Sequence, residues 1–327
     1  MAKRMATSLA GPCDLARRRR RASRQGRNSL TIVARIGQGG SVTDSTRRFV
    51  VVGVDGSNGS AVALRWALDH ADHLGDIEPV TTFVTGPMVR EAGPPDAGDE
   101  PYRSEATLQQ RAFLESHAPW LVESAIVLET RAGPGLVKAA VAAELLVVGT
   151  RGWGDRADLS VGSVGSYCAR HSTVPVALIP PVVPAFHDHL NVVVGFDGSP
   201  HSRDALRWTL EHLRRSARVT VVRAFTDERV AGEVLRPADG RAEDSARREL
   251  ENGVAAVLDH VPGHPPVEMA VLPGDPRAVL RSAGAGADLL VVGARGHGGL
   301  DLLLLGSVAS ALAHHPTVPT IVVPGIR

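Results

Sequence analysis

Leu145-Leu146-Val147-Val148-Gly149-Thr150-Arg151-Gly152 returns 144 residues later as Leu289-Leu290-Val291-Val292-Gly293-Ala294-Arg295-Gly296. The match is not isolated. Val51-Val52-Gly53-Val54-Asp55-Gly56-Ser57 returns as Val193-Val194-Gly195-Phe196-Asp197-Gly198-Ser199, and Ala63-Leu64-Arg65-Trp66 as Ala205-Leu206-Arg207-Trp208, both shifted by 142. Thr173-Val174-Pro175 recurs as Thr317-Val318-Pro319. Blocks that recur in the same order at a fixed offset are the signature of a duplicated structural unit. The 327 residues therefore divide into a tail (1–48), a first repeat (49–180), a linker (181–190) and a second repeat (191–327).

Within each repeat, short apolar runs alternate with longer segments of helical periodicity. That alternation predicts βα units and a parallel sheet. In the second repeat the strands fall at 191–196, 218–225, 267–272, 289–293 and 320–323, and helices at about 200–215, 239–261, 275–285 and 306–315. The first repeat places strands near 49–54, 80–84, 125–130, 145–149 and 175–179. Their Val/Leu runs lack polar alternation, as strands covered on both faces do. With right-handed crossovers, each repeat becomes a doubly wound, five-stranded α/β sheet of Rossmann-like type. The first repeat is about three residues shorter before Gly149, which predicts a truncated third helix.

Composition narrows the function classes. Apolar residues make up 43% of the chain and charged residues 22%, as in a globular protein with a full core. Two cysteines, Cys13 and Cys168, exclude a disulfide framework. No apolar run is long enough for a membrane span and the N-terminus lacks a secretory h-region, so the expected location is cytoplasmic. The net charge of +1 hides an asymmetry: residues 1–48 carry 12 bases and 2 acids, leaving 24 bases and 33 acids to the rest. The arginine run 17–21 reads as a disordered, solvated tail, or as an electrostatic tether for nucleic acid.

Ligands of such folds bind beyond the carboxyl ends of the strands, where two loops per repeat stand out. Asp55-Gly56-Ser57 and Asp197-Gly198-Ser199 follow strand one. Their carboxylates suit ribose hydroxyls or an adenine amino group; equally, an Asp-Gly turn with a serine cap explains them. Gly149, Gly152, Gly162 and Ser163 follow strand four, and Gly293, Gly296, Gly306 and Ser307 repeat that spacing. Glycines let amides approach phosphate oxygens, and a Gly-Ser that opens a helix presents its dipole to an anion. A Walker loop is excluded, because neither Lys3 nor Lys138 lies in one, and no G-x-G-x-x-G follows the first strand. Arg151 and Arg295 occupy matching places between the glycines. His187-Asp188-His189 is a weak candidate metal cluster, and no hydrolase triad has support.

These residues resemble a tandem universal stress protein of the UspA superfamily over 49–327. The resemblance rests on the first-strand aspartates and on G-x2-G-x9-G-S, which in that family marks the members that bind ATP. It implies that Asp55 and Asp197 face the nucleoside, and that Gly149, Gly152, Gly162 and Ser163, with their second-repeat counterparts, hold phosphates. It also puts Val84 and Ala224 at the adenine and Val164 and Val308 beside the phosphate loop. The last strands, 176–179 and 320–323, would pair across an intramolecular two-fold axis as a pseudo-dimer, with a further homodimer left open. The implied cofactor is ATP, with or without Mg²⁺. The implied role is a nucleotide-dependent regulator acting through an unidentified protein partner, the alternative being a slow ATPase or phosphotransferase. Trp153, Asp155, Arg156 and Asp158 in the first phosphate loop, against His297-Gly298-Gly299-Leu300 in the second, predict that the second site binds better.

Overall fold

The computed structural model describes residues 48–85, 100–152, 162–183, 190–213, 216–226, 241–297 and 305–325. The basic tail up to residue 47 and the linker cluster His187-Asp188-His189 lie outside the described residues. The first repeat runs β1 (Phe49–Gly53), α1 (Asn58–Leu74), β2 (Asp76–Phe83), α2 (Glu100–His117), a 3-10 turn (Pro119–Ser124), β3 (Ile126–Glu129), α3 (Ala132–Ala139), β4 (Leu145–Gly149), α4 (Ser163–His171) and β5 (Val176–Ile179). The second runs β6 (Asn191–Gly195), α5 (Pro200–His212), β7 (Arg218–Phe225), α6 (Arg241–Leu258), β8 (Val267–Pro273), α7 (Pro276–Gly284), β9 (Leu289–Gly293), α8 (Ser307–His314) and β10 (Thr320–Val323).

Each repeat has the expected five parallel strands, but the two sheets are one. The order is β3-β2-β1-β4-β5-β10-β9-β6-β7-β8. The junction is antiparallel, with Val176 opposite Val322, Ala177 opposite Ile321 and Leu178 opposite Thr320, the pairing that the resemblance implied. Strand side chains alternate between two cores. Val50 and Val52 face α1, α2, α5 and α6, while Phe49 and Val51 face α3, α4, α7 and α8. Both cores run unbroken through both repeats, so burial of apolar surface binds the halves as well as each half.

Trp66 and Trp208 are core residues of matching helices. Cys168 is buried, and burial pushes its thiol up to about 12, which leaves it an unreactive small hydrophobe. Strand β2 begins at Asp76, four residues before the expected 80. Proline is confined to edge or terminal positions of strands, and Asp76 to Pro79 pair only with β1, while β3 joins from Val80 onward. The proline thus occupies a stretch with one open edge. Helix α3 has eight residues against nine in α7. Asp275 caps α7 by accepting from the amides of Arg277 (3.0 Å) and Ala278 (3.2 Å), whereas Arg131 makes no such bond at α3.

A side-chain contact also crosses between the repeats. His212 Nε2 lies 2.9 Å from a Glu144 oxygen and its Nδ1 lies 2.8 Å from the Trp208 carbonyl; Arg48 Nε holds the other Glu144 oxygen at 3.2 Å. Burial pushes the Glu144 carboxyl up, but the bonds from His212 and Arg48 outweigh it and hold it below the usual range. His212→Ala, which leaves this carboxylate half-buried with one partner, is expected to cost about 1–3 kcal/mol in urea unfolding. In combination with Glu144→Gln the two losses should fail to add by at least about 0.5 kcal/mol. Full additivity would mean that the contact contributes nothing.

Candidate functional site

In each repeat the strand order reverses between the first and fourth strands, β1 and β4 or β6 and β9. Both conspicuous loops emerge there, at the place where open α/β sheets take ligands. After β6, Gly198 turns the chain with φ +83°, a conformation that suits glycine. The Asp197 Oδ1 accepts from the Ser199 amide (2.9 Å), the Ser199 Oγ accepts from the Ser202 amide (3.2 Å), and α5 begins. After β1, Gly56 (φ +79°), Asp55, Ser57 and Ser60 reproduce the arrangement at the same distances. The capping reading of these turns is therefore correct, and it leaves the second carboxylate oxygen directed elsewhere.

That direction is the second glycine of the other loop. A Cβ on Gly152 would stand 2.7 Å from Asp55 Oδ2, and one on Gly296 would run into Asp197 Oδ2. Burial pushes the Asp197 carboxyl up, but the bonds from Ser199 and Ser202 and the charge of nearby His297 outweigh it, so the group is held ionised below the ordinary carboxylate range. His297 is fixed by its Nε2, 3.0 Å from the Asp197 carbonyl.

The four motif positions do different work. Gly149 and Gly293 serve packing: an added Cβ would stand 2.6 Å from the Gly59 carbonyl oxygen or from the His201 carbonyl carbon, in the first turns of α1 and α5. Gly162 and Gly306 close the loop, their amides donating to the carbonyls of Thr150 (2.9 Å) and Ala294 (2.8 Å). Those two amides are thus occupied. The residues that follow are not so constrained: α4 and α8 start at Ser163 and Ser307 with no side-chain cap. The amides of Ser307 and Val308 consequently have no acceptor within their helix.

In the second repeat these parts enclose a cavity of about 520 Å³. Its lining combines apolar side chains from Phe196, Val222, Ala224 and Leu280 with Asp197, Gly296, His297, Ser307 and Val308. The structure therefore brings Asp197, Ala224, Gly293, Gly296, Gly306, Ser307, Val308 and Arg295 together, and adds Phe196, Leu280 and His297. Phe196, next to Asp197 in a quoted block, and His297, next to Gly296, carried a signal in the sequence; Leu280 carried none.

The first repeat is built differently. Strand register matches Val80 to Gly53 and Val222 to Gly195, so the counterpart of Ala224 is Thr82. Val84, the residue selected from sequence, lies beyond the end of β2 and is 59% exposed. A Cβ on Gly133 would stand 2.6 Å from the Tyr167 ring, and one on Gly135 would meet Thr82 at 2.9 Å. Helix α3 is thus pressed against α4 and β2, whereas Ala311 and Ala224 replace Tyr167 and Thr82 in the second repeat. Asp55, Gly149, Gly152, Gly162, Ser163 and Val164 keep the loop framework beside this closer packing. Trp153, Asp155, Arg156, Asp158 and residues 298–300 lie outside the described residues. Among the described residues, no group of three His, Cys, Asp or Glu side chains could hold a metal ion, and no helix is long and apolar enough to cross a membrane.

Comparison with known proteins follows the same division. The model of the Universal stress protein family matches residues 46–180 and again 190–324. Universal stress protein Rv2005c of Mycobacterium tuberculosis is 32% identical over 288 residues, covering 84% of this chain and 96% of that protein. A universal stress protein of Mycolicibacterium smegmatis is 30% identical over 300 residues, covering 86% and 99%. Among solved structures, a universal stress protein from Archaeoglobus fulgidus shares the fold with a TM-score of 0.59 at 17% identity, over 86% of this chain and all of that one. With two consecutive family domains spanning the sheet and both sets of loops, the chain belongs to the universal stress protein family.

Proposed function

We propose that the second repeat binds an adenine nucleotide, ATP in particular, and that its occupancy regulates binding of a protein partner. The observation that carries this reading is the cavity itself, where apolar side chains, an ionised carboxylate and an uncapped helix N-terminus meet at the switch point. A base fits against Ala224 and Leu280. Asp197 accepts from ribose hydroxyls, and the phosphates meet the amides and hydroxyl at Ser307 and Val308, where the helix dipole favours negative charge. A triphosphate carries enough charge to bring Mg²⁺ with it. The first repeat, with Asp55, Gly152, Gly162, Ser163 and Val164 in the corresponding places, is the weaker site because Tyr167 and Thr82 stand where the second repeat has Ala311 and Ala224.

Calorimetric titration with ATP and Mg²⁺, after removal of any copurified nucleotide, tests the proposal. Ser307→Ala is expected to weaken the tighter binding event by about tenfold, the scale of one hydrogen bond to a charged group, while Ser163→Ala leaves that event unchanged. Absence of both heat and copurified nucleotide would overturn the reading. Steady ATP turnover lost in Asp197→Ala would replace it by the ATPase reading.

A further inference from the structure

The two ends of the ten-stranded sheet are not alike. At one end β3 has four residues, Gln110 Nε2 donates to its Ile126 carbonyl (3.0 Å), and its last residue, Glu129, is engaged by Thr85 and Arg103. At the other end β8 runs for seven residues in unbroken register with β7, and none of its residues is buried. Met269 and Leu272 are 45% and 36% exposed. Edge strands in soluble proteins are ordinarily kept short, bulged, charged or covered, because their free amides and carbonyls template further pairing. Prolines 266 and 273 stop β8 at its ends, but between them only Glu268 carries charge.

We propose that β8 is a self-association surface, pairing antiparallel with β8 of a second copy of this chain about a two-fold axis at Ala270. The register follows from the strand's own residues. Centring on Glu268 would set two carboxylates face to face, a destabilising cross-strand pair. Centring on Ala270 puts the smallest side chain on the axis, Met269 opposite Val271, and Glu268 opposite Leu272. Antiparallel edge joining is already how the chain unites its own halves at β5 and β10. Because β3 closes the far end, the association stops at two copies and does not propagate into a fibre, as an isologous contact requires.

The register makes the test sharp. Directly opposed residues of an antiparallel pair have Cα atoms about 4.5–5.5 Å apart, within disulfide reach, and residue 270 would oppose itself. In a Cys13→Ser background, where the remaining native thiol of Cys168 is buried, Ala270→Cys is expected to form a covalent dimer in most of the protein under mild oxidation. Val141→Cys, more exposed at 62% but remote from β8, should form little. By sedimentation the unmodified protein should run as twice its 34.4 kDa chain mass, and Met269→Lys with Leu272→Lys should return it to one chain. A single-chain protein throughout, or a dimer in which residue 270 cross-links no better than residue 141, would overturn the proposal.

Discussion

Gly293→Ala is expected to destabilise the protein by about 2–3 kcal/mol, the range for forcing an extra carbon into packed structure. The new methyl would stand 2.6 Å from the His201 carbonyl carbon and 2.7 Å from its oxygen. Backbone in the first turn of α5 cannot rotate away as a side-chain tip can, so the helix must shift against β9. Gly149→Ala should act in the same direction against Gly59, again at 2.6 Å. Gly286→Ala is the control: nothing lies within 4 Å of its added carbon, and at an unstrained position alanine stabilises by about 0.4–1 kcal/mol through the unfolded chain. Urea unfolding midpoints read all three. Were Gly293→Ala to unfold with the midpoint of the parent, the glycine would be free of a packing role and the phosphate explanation would regain it.

The contrast bears on how far sequence reaches. Strands β1, β4, β5, β6, β9 and β10 were legible because residues buried on both faces must be apolar throughout, and Val/Leu runs bounded by Gly or Pro leave few alternatives. Three spaced glycines in each repeat said that side chains were unwelcome at those positions. They did not say what stood in the way. At Gly149 and Gly293 it is a neighbouring helix, at Gly152 and Gly296 an aspartate, and at Gly162 and Gly306 the constraint is loop closure. Duplication preserved all of these at once, so recurrence alone could not separate a ligand contact from a packing contact. The apolar lining was less visible still. Phe196, Leu280 and Ala224 come from three parts of the chain brought together by right-handed crossovers, and only Phe196 lies within a repeated block. Ala224 was paired with Val84 as the residue at the end of strand two, whereas hydrogen-bond register, a property of the assembled sheet, equates it with Thr82. The 3-10 turn at Pro119–Ser124 followed α2 without a periodic signal, since one turn is too short to show a period.

Gly296→Val is expected to separate binding from folding. Its side chain would take the space of Asp197 Oδ2, which belongs to a short side chain able to rotate, so the fold should lose less than with Gly293→Ala. Rotation of Asp197, however, breaks its bond to the Ser199 amide and removes the carboxylate from the cavity lining it shares with Ser307 and Val308. Valine's second methyl would also reduce the 520 Å³ available. Together these effects should weaken ATP binding by at least about 100-fold, about 2.8 kcal/mol at 1.4 kcal/mol per decade, measured by titration with circular dichroism as the check on folding. Gly152→Val makes the same encounter with Asp55 in the first repeat. It should barely alter the tighter binding event, which the proposed function assigns to the second repeat. Equal losses from the two variants would make the repeats functionally equivalent despite their different packing, and a loss confined to Gly152→Val would move the principal site to the first repeat.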